Sequence, residues 1–162
     1  FQLFRRVGPK MAMIALISRA GMITVMGINL LLWVMPHILL TGGVGWEEAQ
    51  LHALVQFCFE AHRLGVFVWQ LFFGAHLLAL GWLILKSNVV PHLLGWGLFI
   101  GAFGYLIQGV ANLTFTHIAV IDYTYITLLV IVTVSEISFG FWLLLRGSRR
   151  SPEISNTASF AA

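Results

Sequence analysis

Charge is what this sequence has least of. Only 9% of its 162 residues are Asp, Glu, Lys or Arg, whereas a soluble domain carries about a quarter. A surface that poor in charge does not suit a protein bathed in water. Cysteine is also scarce: the single Cys58 excludes an internal disulfide and any cysteine-built metal site. A glycine-rich phosphate loop and a nucleophile elbow are both missing, so no catalytic constellation is nominated. The opening residues lack the charged-then-apolar pattern, ending in small residues, of a secretory signal.

What fills the chain instead is apolar. Fifty-nine per cent of the residues are hydrophobic, with a mean hydropathy of +0.92. At residues 69–108 two apolar runs, each long enough to cross a bilayer, flank the polar turn KSNVVP at 86–91. Pro91 suits the first position of a new helix, where its missing N–H costs nothing. This is a transmembrane hairpin, and the expected fold is an all-α integral membrane bundle of four spans.

About 20 apolar residues cross the hydrocarbon core, which predicts spans at 12–39, 64–85, 92–113 and 125–145. The second span is the later part of a longer helix starting near Glu47, where acidic residues meet the positive end of the dipole. Residues 148–162 read as a disordered cytoplasmic tail. The start at Phe1 suggests the later part of a longer protein.

If the four spans alternate, Arg5, Arg6, Lys10, Lys86, Arg146, Arg149 and Arg150 fall on one side, and Glu47, Glu48 and Asp122 on the other. The positive-inside rule then puts both ends in the cytoplasm. The net charge of +3 and pI near 9.5 are explained by that asymmetry, and no nucleic-acid partner is expected. The expected location is a bacterial cytoplasmic (inner) membrane, with the lipid bilayer as the first partner.

Polar residues inside the spans are the candidates for function. Glu136 and His76 each lie ten residues from a basic inner end, which places both about 15 Å deep, near the midplane. Asn29 is assigned a similar depth. The functional reading is a Glu136–His76 proton-handling pair; the structural one is an interhelical clamp with a protonated Glu136. Arg19, near the cytoplasmic end of span one, is expected to snorkel to the headgroups. Glu60 and Arg63, three apart, read as a local surface pair. His37, His52, His62 and His117 fall toward the outer side. They would be the ligands of a haem or metal alternative, although no spacing supports one. Gly97, Gly101, Gly104, Gln108 and Ala111 share one face of span three, a small-residue face on which another helix can pack closely.

The run FFGAHLLALGWLILKSNVVPHLLGWGLFIGAFGYLI, followed by SEISFGFWLLLRG, resembles an uncharacterised bacterial multi-pass membrane family, domain of unknown function 4386. Phe73, Gly74, His76, Gly81, Ser87, Pro91, Leu94, Gly95, Gly104 and Tyr105 match its pattern, as do Glu136, Trp142 and Gly147. RAGMITVMGINLLL around Arg19 resembles the preceding helix, and Asn88 stands where glycine is common. The similar segments cover residues 10–147. The resemblance implies architecture and further upstream helices, but no reaction.

Three functional readings follow. The leading one is a non-catalytic accessory subunit of a larger membrane complex, respiratory or photosynthetic, docking through the glycine face. The second is a small proton-coupled carrier using Glu136 and His76. The third is a haem- or metal-binding membrane protein; no cofactor is the expectation, with haem or a bound pigment as the alternative. Lipid chemistry without a nominated nucleophile is a further alternative.

Overall fold

The computed structural model describes residues 2–42, 45–87, 89–114 and 119–147. His117, Asn88 and the tail at 148–162 lie outside the described residues.

The described residues form four α-helices: α1 (Pro9–Thr41), α2 (Glu48–Lys86), α3 (His92–Leu113) and α4 (Ala119–Gly147). All four are long and apolar enough to cross a membrane. A helix satisfies every interior backbone N–H and C=O within itself, which is what hydrocarbon demands. Gly8 caps α1 with extended backbone and Pro9 occupies its first turn. Pro36 sits inside α1 near its far end, where its ring removes one backbone hydrogen bond.

Helix limits agree with the expected span at α3, and α2 is the single long helix expected to start near Glu47, so its mixed first half and its apolar second half share an axis; α1 and α4 extend beyond their expected spans. α4 starts at Ala119, six residues before the expected start of the fourth span at 125. Pro91 stands one position before the first helical residue of α3, and its carbonyl accepts from the Leu94 N–H at 3.1 Å.

Among the described residues, helix contacts run only between neighbours in sequence: α1 on α2, α2 on α3, α3 on α4. Among the described residues α1 and α4 do not pack together, so the four helices form an open row rather than a closed bundle. Each neighbouring pair is antiparallel. Along α1 and α2, a Cβ on Gly8 would meet Trp82, one on Gly21 would meet Phe72, and one on Gly65 would meet Asn29. The buried Ala15, Met22, Asn29 and Pro36 of α1 recur every seven residues, the period of a left-handed helix seam.

α2 and α3 are the closest pair. A Cβ on Gly81 would lie 2.8 Å from the Phe99 nitrogen and 2.9 Å from the Gly95 oxygen, and one on Gly74 would lie 2.7 Å from Leu106. Gly95, Ala102 and Gly109, again seven apart, are the buried small residues α3 presents here, with Gly109 against Phe67 and Leu71 of α2. The core is concentrated toward the α2–α3 turn, where Leu83, Ile84, Leu98, Ala102 and Val132 are all at most 1% exposed. Ser87 closes α2 there, with its buried hydroxyl donating to the Ile84 carbonyl at 3.0 Å.

Candidate functional site

His76 is the first polar residue of the site. Its Nδ1 lies 2.8 Å from the Ala15 carbonyl of α1. A carbonyl can only accept, so Nδ1 carries the proton and Nε2 is the free ring nitrogen. That carbonyl belongs to the helical turn bearing Arg19, whose own N–H reaches back to residue 15 in a regular helix. His76 therefore holds the turn that presents Arg19.

Arg19 lines a cavity of about 130 Å³ with His76, Phe4, Ala12, Ala15, Leu16, Leu80 and Leu83. It is exposed and, among the described residues, makes no ion pair within 4 Å. Its charge nevertheless acts on both His76 and Glu136. Among the described residues α1 and α4 make no helix-to-helix contact, so Arg19 acts on Glu136 by charge alone.

Aromatic rings form a floor beside His76. Phe73 lies nearly parallel to the His76 ring, 9° apart at 6.4 Å, and stacks on Trp69 at 5.0 Å. Tyr105 of α3 meets Phe73 edge-on at 4.9 Å, and the Glu136 carboxyl acts electrostatically on it. Arg19, His76, Tyr105 and Glu136 thus come one from each helix, and Phe73 joins His76 to Tyr105. Trp69, Phe73 and His76 stand at i, i+4 and i+7 on one stripe of α2, a periodicity through which the floor could have been read. Tyr105 carried no signal beyond its match to the family pattern.

His76 and Glu136 make no contact with each other, so the expected direct pair does not form. Their backbones also differ in level. Gly74 packs on Ala102 and Leu106 and Gly81 on Gly95 and Phe99, which sets His76 near the level of Gly101; Gly101 packs on Val132, four residues short of Glu136, or about 6 Å of helix. Counting depth from Arg146 misleads because α4 overruns the α2–α3 turn, where Trp142 and Arg146 flank Val89, Val90, Pro91 and His92.

Asn29 belongs elsewhere. It lies 14 residues beyond Ala15, about 21 Å along α1, so it is not part of the group around His76. Its Nδ2 donates to the His62 carbonyl at 3.0 Å, and His62 Nδ1 donates to the Asn29 carbonyl at 3.1 Å.

The small-residue face of α3 is occupied within the chain. A Cβ on Gly101 would lie 2.5 Å from Val132 Cβ, one on Gly104 2.8 Å from Leu128, and one on Gly97 would collide with the Ser135 hydroxyl. Gln108 instead turns to α2, accepting from Gln70 Nε2 at 2.8 Å, and Ala111 is buried one turn on. The face expected to dock a partner is thus the α3–α4 contact.

Arg63 and Glu60 form the expected exposed pair at 2.8 Å. No three His, Cys, Asp or Glu side chains among the described residues come together as a metal site, and His62 Nδ1 is taken by Asn29.

Residues 1–147 match the sequence profile of the domain of unknown function DUF4386. The chain belongs to the DUF4386 family. An uncharacterised protein of Archaeoglobus fulgidus is 33% identical over 85 residues, covering 52% of this chain and 48% of the relative. The match therefore spans about half the length of that curated relative. No solved structure matches this DUF4386 chain. The family brings no reaction, so function rests on the site.

Proposed function

We propose that this DUF4386 protein is a small proton-coupled carrier of a prokaryotic cytoplasmic membrane, with both described ends on the cytoplasmic side. The observation that carries the reading is the set Arg19, His76, Tyr105 and Glu136, one polar group from each helix: Arg19 and His76 share a cavity, Phe73 lies between His76 and Tyr105, and Glu136 acts by charge on Tyr105 and Arg19. Isolated ionisable groups are costly in hydrocarbon and are kept where a solute or proton uses them. Arg5, Arg6, Lys10, Lys86 and Arg146 stand at one end of the antiparallel row and Glu47 and Glu48 at the other, which supports the orientation.

The test is reconstitution of the full chain in vesicles holding a pH-sensitive dye. Small organic acids and amines are added in turn under an imposed pH gradient. Wild type should collapse the gradient with at least one of them, and Glu136→Gln should not, at an unchanged melting temperature. Equal collapse by both proteins, or by neither, refutes the carrier.

A second reading is the accessory subunit of a larger membrane complex. The glycine face no longer supports it, but the open row does, because α1 and α4 each leave large apolar side chains exposed, among them Ile17 and Leu31 on α1 and Val130 and Val134 on α4. The mass and composition of the particle extracted from native membrane in mild detergent decides it. A stoichiometric partner supports the subunit, and this chain alone opposes it.

A further inference from the structure

We infer that the cavity beneath Arg19 and His76 takes a small amphipathic monocarboxylate of roughly six to ten non-hydrogen atoms. The inference rests on the carrier reading and names the class of its solute. The cavity holds about 130 Å³, close to the engineered apolar cavity of about 150 Å³ that accepts benzene. Ala12, Ala15, Leu16, Leu80, Leu83 and Phe4 give it an apolar wall. Arg19 and His76 supply its only nitrogen-bearing side chains.

Those two side chains are suited to a carboxylate. Arg19 has no ion-pair partner within 4 Å among the described residues, so its guanidinium fork is available for a bidentate contact. His76 commits Nδ1 to Ala15 and leaves Nε2 for the ligand. An imidazolium Nε2–H donates to a bound carboxylate, and a neutral Nε2 accepts from a bound carboxylic acid. In either form one proton is held between ring and ligand, and the three groups together carry the single positive charge of the Arg19 guanidinium. A simple inorganic anion would leave the apolar wall without use, and a neutral hydrocarbon would leave Arg19 without use.

The experiment is equilibrium dialysis of radiolabelled benzoate against the full chain in neutral detergent. Wild type should bind one equivalent. Arg19→Gln should weaken binding at least tenfold, with Arg19→Lys restoring part of it. Ala12→Val, which fills the cavity and leaves both nitrogens, should weaken it as well. Unlabelled hexanoate should displace benzoate, whereas methyl benzoate should not.

Absence of saturable binding, unchanged affinity in Arg19→Gln, or displacement by methyl benzoate overturns the inference. Dodecanoate binding far more tightly than hexanoate overturns it in favour of a membrane fatty acid. Gradient collapse without benzoate binding leaves the carrier standing and removes only this ligand class. Benzoate binding without collapse does the reverse.

Discussion

Asn29 of α1 and His62 of α2 each bond the other's backbone, the asparagine amide to the His62 carbonyl and the His62 ring to the Asn29 carbonyl. Gly65 makes the approach possible, since any Cβ there would coincide with the Asn29 amide. Interhelical side-chain hydrogen bonds in membranes average about 0.6 kcal/mol. Asn29→Ala should therefore cost about 1 kcal/mol, whereas Gly65→Val, which drives the helices apart, should cost about 1–3 kcal/mol. Thermal unfolding in detergent measures both, and a Gly65→Val protein as stable as wild type would show that the helices do not meet there.

Gly101 offers a sharper contrast. Gly101→Leu has to displace the Val132 backbone and should destabilise the protein itself by several degrees or prevent its accumulation. Gly27, around which nothing lies within 4 Å, is the matched control. Gly27→Leu should shift stability by no more than about 0.5 kcal/mol. Loss of a partner from an otherwise intact Gly101→Leu protein would contradict the α3–α4 contact.

Gln70 and Gln108 form a side-chain pair whose energy is separable. Gln70 is buried, and its Oε1 has no partner among the described residues, so the pair is only partly satisfied. A double-mutant cycle with Gln70→Leu and Gln108→Leu should give a coupling of about 0.5–1 kcal/mol. The double variant should be no less stable than either single one. A coupling near zero would mean that the amides do not bond.

Orientation is checked with single reporter thiols in a Cys58→Ala background. Lys10→Cys and Lys86→Cys should be shielded from an impermeant maleimide in intact cells, and Trp46→Cys should be labelled. The opposite pattern would invert the proposed topology.

The spans were legible because hydrocarbon leaves so few alternatives. α3 lies where a run bounded by Pro91 and a polar stretch puts it, and α2 is the single long helix its apolar content implied. The start of α4 was not legible, since Thr114–Tyr123 is polar enough to read as a connection even though its later half is helical. A small-residue pattern announces a close approach but does not name the helix that makes it. Gly97, Gly101 and Gly104 therefore suggested a partner, when the partner was α4. The second glycine series, Gly95, Ala102 and Gly109, was overlooked although its spacing of seven was visible. Depth counted from chain ends failed for Asn29 and misjudged Glu136, because registers between helices are set by packing that no single helix encodes. His76 and Arg19 were both nominated, yet their shared cavity depends on the α1–α2 register.

The open row has a consequence for assembly. Each interface joins consecutive helices, so an interface is complete once its second helix has left the ribosome. No distant segment must be awaited, and loop-closure cost stays low throughout. Stability then behaves as a sum of three nearest-neighbour junctions, as in a solenoid. Damage at the α3–α4 junction should leave the α1–α2 hairpin, and the Arg19–His76 cavity within it, intact.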